Sequence, residues 1–215
     1  MANEIAQQIT AAEALQMASL GPQEFPIPSA PNGAEGAQRF EVSEIVALLK
    51  ELGEQDYVRV YFAYVGKEGT QDYRWLNGVI LGSYTFEHLI PDLRVDPTTV
   101  DPDHVQFLTT MSEDSSQVYP HQISAERAKY FQSLGYQPST QAFLVSGLFA
   151  LLSTIEEQTP ADEKKWVYVY YAYNDDKSLR SVILGCRPIT PGETSTAKDP
   201  FTVEFLDHTN EYPST

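Results

Sequence analysis

Four histidines, one cysteine and a local cluster of carboxylates are the groups in this 215-residue chain best suited to chemistry. In the stretch VDPDH, Asp101, Asp103 and His104 would offer oxygen and nitrogen donors to a divalent cation. Read as a calcium loop starting at Asp101, the stretch fails. Gln106 stands where the tight turn needs glycine, and Ser112 stands where a bidentate glutamate would close the shell. Cys186 is the single thiol and so cannot form an internal disulfide, which makes the cytoplasm the default compartment. As a nucleophile Cys186 would need a neighbouring base or cation, and none is identifiable from the sequence. The chain holds no glycine-rich phosphate loop, no H-E-x-x-H, no G-x-S-x-G and no paired C-x-x-C. It therefore reads as a non-enzymatic protein, with no cofactor and no metal expected.

The elements that would position any such group come from an internal repeat. YVRVYFAY at residues 57–64 returns as WVYVYYAY at 166–173, and VILG at 79–82 returns unchanged at 182–185. FEVSEIVALL from Phe40 pairs with FLVSGLFALL from Phe143, and ITAAEALQMASLG from Ile9 pairs with ISAERAKYFQSLG from Ile123. DPDHVQFL from Asp101 pairs with DPFTVEFL from Asp199. Block order is preserved, which gives two copies, residues 1–120 and 121–215. Shared chemistry should recur in both, and it does not. His88, His104, His121 and His208 have no histidine at the matching alignable positions, Phe201 and Thr202 replace Asp103 and His104, and Ser83 stands where Cys186 does.

Thr10 and Ser124 suit helix N-caps, Glu13 is spaced to complete a capping box with Thr10, and Gly21 and Gly135 would end the two helices. A second helix in each copy follows from the i, i+3, i+4 spacing of Ile45, Leu48 and Leu49 and of Leu148, Leu151 and Leu152, behind Ser43 or Ser146. The aromatic block then switches to period two. Val58, Val60, Phe62 and Tyr64 share one face, and Arg59, Tyr61 and Ala63 share the other. VILG would be the return strand of a hairpin, and the DPxxVxFL block a third strand with its proline at the start. The expected fold is α+β: two tandem pseudo-symmetric copies, each of two helices over one face of a three-stranded antiparallel sheet.

The second sheet face is not polar, since Tyr168 and Tyr170 lie there in copy two and Arg59 and Tyr61 in copy one. Either the copies pack these faces or their sheet edges against each other about a pseudo-twofold axis, or the four residues form a binding surface for a partner or ligand. Arg59, Tyr61, Tyr168 and Tyr170 are the candidate binding residues. The long segment GPQEFPIPSAPNGAEGAQ is rich in proline and glycine and reads as an extended loop, with docking peptide or lid over the aromatic surface as its alternative role.

AFLVSGLFALL, VYVYYAY and SVILG together resemble a group of uncharacterised bacterial proteins in which a Phe-led helix precedes a VRVY-like strand and an LVLVG-like return strand. The resemblance implies the scaffold of each copy and carries no activity or site residue across.

Charge narrows the partners. Thirty acidic against fourteen basic side chains give a net −16, which disfavours nucleic acid and anionic membrane surfaces. Residues 1–120 account for −12 of it and 121–215 for −4. No stretch approaches the roughly 20 apolar residues that span a bilayer, and the first residues lack the basic and apolar regions of an export signal. The sequence-based expectation is a monomeric, cytoplasmic, acidic interaction or scaffold protein built as a covalent pseudo-dimer. The alternatives are an inhibitor or immunity-like protein binding a basic partner, and a small-molecule binder in the groove between copies.

Overall fold

A computed structural model describes residues 7–24, 37–50, 52–54, 56–65, 76–84, 107–109, 121–123, 140–174, 179–197 and 202–207. The fold is α+β, with three helices and ten strands among the described residues. The helices are α1 (Ala11–Glu24), α2 (Val42–Leu49) and α3 (Val145–Gln158). The strands are β1 (Gln7–Ile9), β2 (Ala37–Glu41), β3 (Tyr57–Val65), β4 (Leu76–Tyr84), β5 (Phe107–Thr109), β6 (His121–Ile123), β7 (Thr140–Leu144), β8 (Trp166–Asn174), β9 (Leu179–Gly185) and β10 (Phe205–Asp207).

Two five-stranded antiparallel sheets result, in the orders β1-β10-β9-β8-β2 and β6-β5-β4-β3-β7. The three strands expected of each repeat form the middle three of each sheet as a meander. Each sheet gains two further strands from the other half of the chain. β1 and β2 join the β8–β9–β10 meander, and β6 and β7 join β3–β4–β5. Register agrees between the sheets. Phe40 lies opposite Val167 and Phe143 opposite Val58, Phe205 opposite Gly185 and Phe107 opposite Gly82, Ile9 opposite Phe205 and Ile123 opposite Phe107.

The expectation of three strands per sheet is therefore corrected to five. Phe40 and Phe143, which lead the blocks read as second helices, belong to edge strands. The helices begin just downstream, at Val42 and Val145, one residue before Ser43 and Ser146. Their N-cap residues, Glu41 and Leu144, give no side-chain cap. Instead the Val42 N–H donates to the Lys165 carbonyl at 3.0 Å and the Val145 N–H to the Asp56 carbonyl at 2.9 Å. A helix's first N–H groups need acceptors, and here one comes from the backbone that leads into the opposite half's central strand.

One core unites the halves. It takes Phe40, Val58, Val60, Phe143, Val167, Val169, Tyr171, Val182 and Leu184 from the sheets, together with the apolar stripes of α2 (Ile45, Leu48, Leu49) and α3 (Leu148, Leu151, Leu152, Ile155). The six helical core positions expected from spacing are all buried. On the opposite face of β8 and β9, α1 lays Ala11, Ala14 and Met17 against Tyr170, Ala172, Ile183 and Phe205. The β8–β9–β10 sheet thus has cover on both faces, not one. The physical reason lies in β8 itself, where both alternating sets are apolar or aromatic and neither can be left in water.

Thr10 and Glu13 form the expected capping box at the start of α1: Glu13 N–H donates to Thr10 Oγ1 at 3.2 Å and Thr10 N–H to Glu13 Oε2 at 2.7 Å. Gly21 does not end this helix, which runs on to Glu24. Glycine is a poor helix former but no obligatory stop. The proline-rich stretch from residue 25 to 36, the helix expected after Ser124 and the VDPDH cluster lie outside the described residues.

Candidate interaction site

The four candidate binding residues divide between the sheets. Tyr168 and Tyr170 share the α1-facing side of β8, their rings stacked with centroids 6.4 Å apart. Neither is laid open as a free aromatic surface. Tyr170 is buried under α1, and its hydroxyl accepts the Ile189 N–H at 2.8 Å. Burial pushes that phenol up to about 12, against the lowering effect of the Ile189 hydrogen bond. Tyr168 is half-buried against the same cluster. Arg59 occupies the matching register position on β3, opposite Gly82 and Ala142, and is 1% exposed. Tyr61 lies two residues along, opposite Ile80 and Thr140.

Residues 186–197 fix the tyrosine side of β8. A turn at Thr190–Glu193 is closed by the Glu193 N–H on the Thr190 carbonyl, with Gly192 at φ 84°, a conformation that glycine adopts without strain. The turn aims Glu193 at Arg187, which also pairs with Glu204 and lies 5.1 Å over the Phe205 ring. Ser195 accepts the Ala12 N–H at 3.1 Å, so this segment and α1 seal the face together. Gly185 permits the close approach beneath. A Cβ there would meet the Phe205 ring at 2.9 Å.

Cys186 follows at the end of β9, buried, with its N–H on the Glu204 carbonyl at 2.9 Å. Burial first, then the Glu204 carboxylate, pushes the thiol from 9.0 up to about 11, so it is protonated at neutral pH. That environment suits a small packed residue and opposes a thiolate nucleophile. Ser181 donates to Asp207 in a buried pair between β9 and β10. Among the described residues no three His, Cys, Asp or Glu side chains are grouped to hold a metal ion, and no helix is long and apolar enough to cross a membrane.

What the sequence reading did not single out is the outward side of α2 and α3. Val46 is 50% exposed and Phe149 40%, the large hydrophobic side chains left in water on the described surface. Each is the fifth residue of its helix. The signal was present, because FEVSEIVALL and FLVSGLFALL align Val46 with Phe149, one step off the buried stripe. A second surface cluster lies on the β2 edge, where Arg39 and Lys164 stand 5.0 and 5.6 Å from the Trp166 ring centroid and Lys164 pairs with Glu41. No protein-family model, curated protein or solved structure matches the chain.

Proposed function

We propose that the chain is a non-enzymatic, acidic protein-interaction or scaffold protein, formed by two tandem copies (1–120 and 121–215) and working as a cytoplasmic, monomeric pseudo-dimer. The observation that carries this reading is the paired exposure of Val46 and Phe149 at the same position of two helices whose other large aligned apolar residues, Val42, Ile45, Leu48 and Leu49 with Val145, Leu148, Leu151 and Leu152, are buried. Apolar side chains held in water on a rigid helix contribute to affinity when a partner covers them. The matching registers of the two sheets support the duplication.

The test is a comparison of wild-type protein with the Val46→Ser/Phe149→Ser double variant. Partners captured by the wild type are identified, purified and titrated against both by calorimetry. The double variant should keep its stability to within about 0.5 kcal/mol, as surface substitutions do, and lose at least tenfold in affinity. Undiminished affinity would refute the helix-borne surface. The net charge of −16 favours a second reading, an inhibitor-like protein that binds a basic partner. Under that reading the affinity falls steeply between low and high salt and is insensitive to the double substitution.

A further inference from the structure

Two covers close the outer face of β8 and β9, and they are attached in different ways. α1 is held by apolar packing, with Ala11, Ala14 and Met17 buried against Tyr170, Ala172, Ile183 and Phe205. Residues 188–195 lie over the tyrosine end of the same face and are held mainly by polar contacts. Their contribution to the apolar cluster is the half-buried Ile189, whereas Pro188, Thr190, Pro191, Gly192, Thr194 and Ser195 are exposed. The other described anchors are the Ile189 N–H on the Tyr170 hydroxyl at 2.8 Å, the Ala12 N–H on the Ser195 carbonyl at 3.1 Å and the pairing of Glu193 with Arg187 at 3.0 Å.

This stretch keeps its own shape. The Thr190–Glu193 turn is closed by its own hydrogen bond, with Pro191 fixing one central φ and Gly192 supplying the positive one. Neither feature depends on the sheet beneath. Arg187 instead stays with the body of the protein, since it also pairs with Glu204 at 2.8 Å and lies over the Phe205 ring. The Arg187–Glu193 pair therefore joins a preformed turn to a fixed strand end. A segment with little buried apolar area and partly exposed polar contacts opens at a lower free energy than the core it covers. We infer that residues 188–195 are a strap that opens as a unit from the outer face of β8, with Arg187–Glu193 as its electrostatic latch, and that the strap gates access to Tyr170. α1 stays docked when the strap opens. The inference rests neither on the duplication nor on the exposed residues of α2 and α3.

Amide hydrogen exchange of the full-length protein tests this, with Glu193→Gln and Gly192→Ala as the variants. The Ile189 and Ala12 N–H groups report the two ends of the strap. The Val182 and Ile183 amides report the sheet, and the Glu13 N–H, held by Thr10, reports the docked α1. In Glu193→Gln the Ile189 and Ala12 amides should exchange roughly three- to tenfold faster, both by the same factor, while the three reference amides keep their rates. Raising the salt from about 20 mM to about 1 M should accelerate the same two amides in the wild type, and less so in Glu193→Gln, because screening weakens the charged latch. Gly192→Ala strains the turn without touching a charge, so it should open the strap and keep the wild-type salt response. Nitration of Tyr170, located by mass spectrometry, should rise with Ile189 exchange. Cys186 belongs to the core on the other face of the sheet and should stay closed to thiol reagents throughout. Unchanged Ile189 exchange in Glu193→Gln overturns the latch, and acceleration of Ile189 without Ala12 overturns the single unit. Equal acceleration of Val182 and Ile183 means that the sheet itself opens and overturns the strap, and unchanged Tyr170 nitration overturns the gating.

Discussion

The sheet built from residues 57–144 and the sheet built from the two chain ends reach the same order and register by different routes, and their two faces are not equally alike. On the inner face the two agree: Val58 and Val60 match Val167 and Val169, and Phe143 matches Phe40. On the outer face they part. Arg59, 1% exposed, lies opposite Ala142 in one sheet, whereas Tyr168, half-buried, lies opposite Arg39 in the other. Inner residues meet side chains from both halves in one shared core, so a change in volume is felt by both. Outer residues answer only to their own cover, α1 in the described case, so a tyrosine in one sheet and an arginine in the other are both accommodated.

The sharpest way to break this comparison is to empty equivalent core positions. Phe40 and Phe143 are each fully buried on an edge strand, opposite a valine of the adjacent strand. Phe40→Ala and Phe143→Ala should each cost about 3–5 kcal/mol in chemical denaturation. The losses should agree to within about 1 kcal/mol if both phenylalanines serve one core. A single cooperative transition in each variant is expected as well. Two separate transitions, or a loss confined to Phe143→Ala, would mean that the end-built sheet is an independent and weaker unit.

Those same phenylalanines show where the sequence stopped being legible. The period-two runs at 57–64 and 166–173 and the return strands fixed the meanders, and the helical spacing of Ile45, Leu48, Leu49 and their counterparts gave the core face of α2 and α3. The edge strands were not readable in this way. β1, β6, β2 and β7 have three to five residues, too few for a period, and Phe40 and Phe143 lead blocks dominated by the helical pattern that follows them. What makes Phe40 and Phe143 strand residues is pairing with Val167 and Val58, backbone distant in the chain, a tertiary fact with no local trace. The candidate site divides likewise. Tyr168 and Tyr170 were rightly seen to need cover, but the covering element comes from the opposite end of the chain. Val46 and Phe149 were passed over because apolar residues beside a core stripe read as part of it.

A chemical difference between the sheets sharpens the comparison in alkali. Cys186 directly follows β9, while Ser83 holds the matching place in β4. The buried thiol titrates at about 11 instead of 9.0, so the folded chain holds a proton that the unfolded chain gives up earlier. Its contribution is complete below pH 9 and is lost as the pH rises toward 11, by at most about 3 kcal/mol. Cys186→Ser makes this sheet like its counterpart and should flatten the fall in stability between pH 9 and 11. The later fall, as the pH approaches the Tyr170 value of about 12, should remain. A pH profile identical to wild type would show that the thiol is not buried as described.

The smallest effect tests the start of α1, the cover of the end-built sheet. Thr10 and Glu13 satisfy two amide donors reciprocally at the start of α1, and Ala11 and Ala14 immediately beside them are buried against the end-built sheet. The matching stretch ISAER has Ser124 but places Arg127 where Glu13 stands, so the reciprocal acceptor exists in the sequence of one half only. Thr10→Ala should lower stability by about 1 kcal/mol. Glu13→Gln, which retains an acceptor oxygen, should be milder. Amide hydrogen exchange separates a frayed helix end from a general loss: Glu13 N–H should exchange faster in Thr10→Ala while the Phe143 and Val58 amides keep their protection. If all three amides accelerate together, the start of α1 does not open alone, and its docking on the end-built sheet is part of the global folding unit.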